Sequence, residues 1–349
     1  MRSHTRWDGI AGVALAAAAA MVLAGCTAGS NDSPPEDNGD DSSSGPITAL
    51  QGSSEGQSWD VAFVAGMNTD PFFITIRNGI EAEAERLGVE LNLSFQGSAA
   101  FDQALQIPLL DSVLATEPDF LIVAPVNAEA LSPSLMKFTD AGIPVITIDG
   151  DVTDKSARLG WVATDNGGGG RLAAQWMSEN VGSGEVIYLG PEPGVSVFEQ
   201  RESGFVNEVQ KHDSLELVGT FYNKQQRDVI VSQVASILQQ HPDLAAIYAS
   251  TNEEALSAAV AVKNAGLIDQ VSIVGFDADP AMQQELDSGA IDALIAQNAF
   301  QMGQTAMNYA ARHLAGNPFT PAVTQFEPVL VTSENKDDPA VRSALYSTE

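Results

Sequence analysis

The sequence predicts an α/β protein of two doubly wound parallel-sheet lobes joined by a multi-strand hinge. Three observations predict it. Short β-branched runs alternate with helical stretches, the alternation comes in two sets of about five strands each, and chemically active polar residues follow the strands directly. Strands alternating with helices imply right-handed βαβ units and parallel sheets covered on both faces. Two such sets in 349 residues, more than one compact domain usually needs, imply two similar lobes.

The elements follow in order. Residues 60–64 (Asp-Val-Ala-Phe-Val) read as a buried strand. A helix is expected over 72–87, with Phe73, Ile76, Ile80 and Ala84 at helical spacing, and Gly88 stops it before a strand at 89–95. Helix 102–116, strand 120–124, helix 128–141 and strand 145–148 complete the first set. The second set runs through helix 170–180, strand 185–189, helix 201–211, strand 216–220, helix 228–240 and strand 245–249. Helix 253–265, strand 271–276, helix 280–287 and strand 291–295 end it. A last long helix, 299–314, and a strand near 328–331 are expected to cross back and complete both lobes. The expected division is 59–163 plus 297–325 for the N-terminal lobe and 164–296 plus 326–349 for the C-terminal lobe.

Ahead of these lobes the chain reads as an export signal and a tether. Arg2, His4 and Arg6 give a basic start, weakened by Asp8, and the apolar stretch 10–22 is too short to span a bilayer. Leu23-Ala24-Gly25-Cys26 resembles the lipobox of bacterial lipoproteins. That resemblance implies a signal peptide over 1–25, cleavage before Cys26, lipidation of its thiol, and a protein lipid-anchored to the cell membrane on the extracytoplasmic face. An ordinary signal peptide with an incidental cysteine is the alternative. Residues 26–58 hold Ser, Gly, Asp, Asn and Pro with few apolar groups, too little to offset the entropy of ordering them, so they read as a disordered tether.

Composition narrows function. There are 46 acidic and 16 basic side chains, for a net charge of −30. Such a surface repels phosphate backbones and excludes nucleic acid as a partner. A solvated surface and adaptation to high salt both fit the acidity. The four histidines, His4, His212, His241 and His313, lack metal-ligand spacing, so no metal is expected. The run Gly167–Gly170 opens a helix but lacks the Walker lysine and the dinucleotide spacing, and reads as a flexible strand-to-helix turn near the hinge. No serine sits in a nucleophile elbow; neither a catalytic apparatus nor a cofactor is expected.

Doubly wound sheets bind ligands beyond the carboxyl ends of their strands. Asp70, Asp149, Asn252, Asp277 and Gln297 each follow a strand. With them stand several segments: Asn68-Thr69-Asp70-Pro71-Phe72-Phe73, Ile143-Pro144-Val145-Ile146-Thr147-Ile148-Asp149, Ala163-Thr164-Asp165-Asn166, Arg201-Glu202-Ser203-Gly204-Phe205, Thr251-Asn252-Glu253-Glu254, Val274-Gly275-Phe276-Asp277 and Ile295-Ala296-Gln297. In this order and spacing, from about Trp59 to Val331, the chain resembles the ribose/galactose-type (type I) periplasmic sugar-binding proteins of ABC importers, in lipoprotein form.

That resemblance implies capture of a sugar or polyol between the lobes and delivery, as a monomer, to an ABC permease and its ATPase. It implies that Asp70, Phe72, Phe73 and Asp149 on the first lobe, Arg201, Asn252 and Asp277 on the second, and Gln297 at the crossing bind the ligand. Carboxylates and amides would bond the hydroxyls, an arginine would supply a rigid fork of donors, and a ring would cover the C–H face. Plainer roles stay open for each. Asp70, Asn252 and Asp277 could cap helices, with Thr251 the alternative contact to Asn252, and Phe73 could be core alone. Asp149-Gly150 could be a turn, Arg201 could pair with Glu199 or Glu202, and Gln297 could be a solvated hinge residue.

The chain also departs from the ribose pattern. Gly150 stands where an arginine is expected, Gln225 or Gln226 where a second phenylalanine is expected, and Ala124 where an asparagine is expected. These changes point to a ligand shaped differently from ribose, and Trp161 either fills the space or packs. A receptor presenting a sugar-like signal to a membrane sensor is the alternative function. A LacI-type repressor would need a helix-turn-helix where the signal and tether stand. A glycosidase would need Asp149 and Asp277 as paired carboxylates.

Overall fold

The computed structural model describes residues 56–193, 195–317 and 323–348. The expected signal peptide, Cys26 and all but the end of the expected tether lie outside the described residues. Among the described residues no helix is long and apolar enough to cross a membrane.

The first half runs β1 (Ser58–Met67), α1 (Pro71–Leu87), β2 (Glu90–Ser98), α2 (Gln103–Leu114), β3 (Phe120–Val123), α3 (Ala128–Asp140), β4 (Val145–Ile148) and β5 (Gly160–Thr164). The second runs α4 (Asn166–Asn180), β6 (Gly184–Gly190), α5 (Ser196–Val209), β7 (Leu215–Tyr222), α6 (Arg227–Gln240), β8 (Leu244–Ala249), α7 (Asn252–Ala265), β9 (Ser272–Phe276), α8 (Pro280–Ser288) and β10 (Ala293–Ala296). Then come α9 (Ala299–Leu314), β11 (Val323–Phe326), β12 (Val329–Val331) and the short α10 (Pro339–Arg342).

Local chemistry sets the boundaries. Asp70 caps α1, its carboxylate accepting from the Phe72 N–H, and Pro71 supplies a preset first turn. Gly88 ends the helix in the left-handed region at φ 68°. In β1 every residue from Val61 to Gly66 is buried, because helices cover both faces of the sheet. On one face of the first sheet Val61, Phe63, Phe120 and Ile146 share a core with α1 and α9; on the other Ala62, Val64, Leu121 and Val145 pack with α2 and α3. The second sheet repeats the scheme. Ile187, Ile247 and Ile273 face α6 and α7, and Val186, Tyr188, Tyr248 and Phe276 face α4 and α5.

Both sheets have six strands and the same winding. The orders are β2-β1-β3-β4-β5-β11 and β7-β6-β8-β9-β10-β12, parallel throughout except that β12 runs antiparallel to β10. Strand order reverses between β1 and β3, and again between β6 and β8. That is where an open α/β sheet leaves a crevice at its carboxyl edge. The chain crosses between sheets after β5, after β10 and between β11 and β12. Main-chain and amide bonds tie these crossings together: the Asp165 N–H to Phe326 O at 2.9 Å and Asn298 Nδ2 to Glu327 O at 2.8 Å.

Four features depart from the sequence reading. β5 and β11 are strands that it did not foresee; both are short, and β11 lies at the sheet edge, where alternation is weak. α5 begins at Ser196, a turn and more before Arg201. Gly167–Gly170 form the first turn of α4, not a flexible loop. Asp165 caps that turn through the Gly168 N–H at 2.8 Å, and the missing side chains let α5 approach. A Cβ on Gly170 would lie 2.0 Å from the Arg201 carbonyl oxygen, and one on Gly204 would lie 2.1 Å from that of Gly167.

Candidate functional site

All eight residues proposed to bind ligand line one cavity of about 390 Å³ between the carboxyl edges of the two sheets. β1 delivers Asp70, Phe72 and Phe73 through the start of α1, and β4 delivers Asp149. From the second sheet come Arg201 on α5, Asn252 at the start of α7, Asp277 after β9 and Gln297 after β10.

Asp149 and Asp277 occupy equivalent places. Each ends a strand with a positive φ, 62° and 87° respectively, a region costly for a side chain other than glycine and several-fold enriched in aspartate. Each is held by a main-chain bond to the next strand: the Asp149 N–H to Val162 O at 2.8 Å, and the Asp277 N–H to Ile295 O at 2.9 Å. Trp161 fixes the first turn from behind, donating Nε1–H to the Asp149 carbonyl at 3.0 Å. Gly150 is more than an absent arginine. A Cβ there would lie 2.3 Å from the Pro125 carbonyl oxygen, so the backbone admits no side chain at that point.

Arg201 is the cation of the cleft. It is buried, so surface pairing with Glu199 or Glu202 does not describe it. Its Nε donates to Asn166 Oδ1 at 2.8 Å and an Nη to Ser250 O at 2.7 Å, while the guanidinium lies 3.5 Å above the Phe276 ring. Those contacts fix the fork's plane. Asp277 Oδ1 accepts from Gln297 Nε2 at 2.7 Å and from the Tyr346 hydroxyl at 2.8 Å. Gln297 is oriented in turn by Thr164, which donates to its Oε1 at 2.7 Å.

The two candidate helix caps in the second half behave differently from one another. Asp279, not Asp277, caps α8, accepting from the Ala281 and Met282 N–H groups. Thr251 stands at the cap position of α7 without a side-chain cap bond, while Asn252 Oδ1 accepts from the Glu253 N–H at 2.8 Å and its Nδ2 donates to Asp279 Oδ2 at 2.9 Å. Asp70 both lines the cavity and caps α1, the cap using only Oδ1, at 2.9 Å from the Phe72 nitrogen. Phe72 and Phe73 pack edge to face, with ring centroids 5.0 Å apart, and both are mostly buried.

Electrostatically the cleft is short of positive charge. Burial pushes Asp70 up to about 7, helped by the Asp277 charge and opposed by the Phe72 N–H. Burial pushes Asp149 up to about 6, opposed by Arg201 and reinforced by Asp277. Asp277 is raised by burial too, against the pull of Arg201, Gln297 and Tyr346. Asp149 and Asp277 thus share one guanidinium and Asp70 adds a further carboxyl, leaving oxygens that call for neutral donors. Among the described residues no cluster of His, Cys, Asp and Glu could hold a metal ion.

Sequence reasoning missed part of the lining. Phe101, 38% exposed, seats on Gly66, whose absent Cβ would lie 2.6 Å from the ring. Phe198 comes from the first turn of α5, which the sequence reading left out. Tyr346 reaches Asp277 from 69 residues away, and no local signal marks it.

A family model described as "Periplasmic binding protein domain" matches residues 61–318. The ribose import binding protein of Escherichia coli (strain K12) is 28% identical over 257 residues, which are 73% of this chain and 85% of that protein. The one from Bacillus subtilis (strain 168) is 29% identical over 252 residues, 71% of this chain and 79% of the relative. Among solved structures, an ABC transporter solute binding protein from Agrobacterium vitis, bound with alpha-D-tagatopyranose, superposes with a TM-score of 0.76 at 32% identity. The match covers 83% of this chain and 99% of that one. These relatives are transport binding proteins, not enzymes.

Proposed function

Because this chain belongs to the periplasmic binding protein domain family, we propose that it captures a sugar or polyol between its lobes and delivers it to an ABC permease and its ATPase. One observation carries the reading: residues from both sheets surround a single cavity with four carboxyls (Asp70, Asp149, Glu253 and Asp277), one fixed guanidinium and aromatic rings. Hydroxyl groups are donors and acceptors at once. They can satisfy the carboxylates that Arg201 leaves over, and the C–H face of a sugar ring can lie on an aromatic side chain. An anionic ligand would add to the uncompensated negative charge. The relatives are import and transporter proteins, and the tagatopyranose and ribose in their names are both sugars; this supports uptake over presentation to a membrane sensor.

In this reading Asp70, Asp149, Asn252 and Asp277 bond hydroxyls directly, Arg201 donates to ring or hydroxyl oxygens, and Phe72 with Phe73 closes the apolar side. Gln297 holds Asp277 and offers its remaining N–H. We assign a first lobe of 59–163 plus 297–325 and a second of 164–296 plus 326–349; sheet membership supports the division except that Thr164 and Phe326, which end β5 and β11, belong to the first sheet. The protein acts as a monomer. Isothermal titration of the purified chain with aldopentoses, aldohexoses, ketohexoses and polyols should give micromolar or tighter binding for at least one of them. Absence of heat and of any thermal shift across the whole panel would sink the sugar reading.

Anchoring is a separate proposal. Leu23-Ala24-Gly25-Cys26 supports cleavage before Cys26 and lipidation of its thiol, which would hold the lobes on the extracytoplasmic face of the membrane. Changing Cys26→Ser should release the protein from the membrane fraction. Retention of this variant in that fraction would overturn the anchor.

A further inference from the structure

The inner cleft is not the whole concavity between the sheets. A second cavity, of about 430 Å³, adjoins it, and Phe101, Phe198 and Gln225 line both. Its walls come from both halves. Gln103 and Asn127 stand at the starts of α2 and α3, and Glu192 and Lys224 face them from the loops after β6 and β7.

The far rim is built with some care. Lys224 and Gln225 both take positive φ, 56° and 55°. The Lys224 N–H bonds Pro191 O at 2.7 Å, the Asn223 N–H bonds Pro191 O at 3.1 Å, and Asn223 Oδ1 accepts from the Gln225 N–H at 2.9 Å. On the near rim the Asn127 side-chain oxygen is committed to capping α3, so its amide N–H groups are what it can offer. The lining therefore presents amides, two rings at the junction, and a lysine balanced by carboxylates. Asp102 and Glu192 offset Lys224, so nothing here favours a phosphate. Amide donors and acceptors beside partly exposed rings suit a second, neutral sugar ring.

We propose that the ligand is a disaccharide or other glycoside: one ring sits in the inner cleft, the glycosidic link passes between Phe101 and Phe198 beside Gln225, and the second residue fills the outer cavity. This rests on the sugar-capture reading and extends it. The two can fail separately.

The test is isothermal titration of the wild-type chain with free aldoses and ketoses, their methyl glycosides, and α- and β-linked disaccharides of the same sugars. At least one glycoside or disaccharide should bind about tenfold tighter than its parent monosaccharide, the increment that a further set of polar contacts supplies. In Gln103→Ala/Lys224→Ala, which leaves the inner cleft intact, that advantage should vanish while monosaccharide affinity stays within about twofold. Monosaccharides binding as tightly as every glycoside would overturn the two-ring ligand and leave sugar capture standing. A tenfold advantage that persists in the double variant would remove the outer cavity from the argument. No binding of any sugar would overturn both.

Discussion

Arg201 shows how a single residue is prepared for a ligand. Two of its N–H groups are tied to Asn166 and Ser250 and its plane is laid on Phe276, so little rotamer freedom is left to lose on binding. Removing the side chain should leave Asp149 and Asp277 facing one another without their shared cation, and leave ligand oxygens buried without a donor. Arg201→Ala should therefore weaken sugar binding by about 2–3 kcal/mol, roughly 30- to 150-fold. Titration of the variant against the best sugar measures this. Affinity within a factor of two of wild type would mean that the fork does not touch ligand. The same scale explains Asp277: Gln297 and Tyr346 both donate to Oδ1, which fixes the carboxylate and leaves Oδ2 for the cleft.

At the scale of elements, close helix pairs aim these residues. In the second half Gly170 and Gly204 let α4 and α5 meet backbone to backbone; in the first half Gly79 and Gly303 do the same for α1 and α9. A Cβ on Gly79 would lie 2.1 Å from the Phe300 carbonyl oxygen, and one on Gly303 would lie 2.0 Å from that of Ile76. α5 carries Arg201, and α1 presents Asp70 and Phe72, so both pairs fix one wall of the cleft. Gly170→Ala discriminates between two effects of opposite sign. Helix propensity alone would stabilise α4 by up to about 1 kcal/mol. The clash with the Arg201 carbonyl should cost about 1–3 kcal/mol and displace α5. Urea unfolding should show a lower midpoint, and titration should show weaker sugar binding. A raised midpoint would mean that the two helices separate freely.

For the whole molecule the decisive quantity is the free energy of bringing the two sheet edges together. Asp70 and Asp149 have their ordinary value of 3.8 raised to about 7 and about 6 in the cleft. A carboxyl so raised puts no penalty on the closed form below about pH 3.8. The penalty grows as pH climbs from about 3.8 towards the raised values of about 6 and about 7, and is constant above them. Sugar hydroxyls that bond the ionised oxygens would offset it, which is the differential contact that a ligand-driven closure requires. Small-angle X-ray scattering should then show the ligand-free radius of gyration rising from about pH 4 to about pH 7, with little change in the sugar-saturated protein. A ligand-free radius that is flat over that interval would exclude carboxylate repulsion as the opening force.

Local sequence patterns specify the two α/β sets, the positions of most helices and strands, and the polar residues that end the strands. These are local: β-branched runs, 3.6-residue spacing and stop signals such as Gly88 act over one or two turns of chain. The sequence also marked eight of the residues that line the inner cleft: Asp70, Asp149, Asn252, Asp277 and Gln297 because a doubly wound sheet exposes its strand ends at one edge, and Phe72, Phe73 and Arg201 through the family resemblance. Only the tertiary structure decided the rest. It made Gly167–Gly170 helical, because α5 presses on that turn, and showed that the missing side chain of Gly150 is imposed by Pro125. It brought Tyr346 to Asp277 and placed Phe101 and Phe198 at a second cavity. Those facts depend on contacts between residues far apart in the chain, and one-dimensional periodicity carries no record of which distant backbone will close against a given turn.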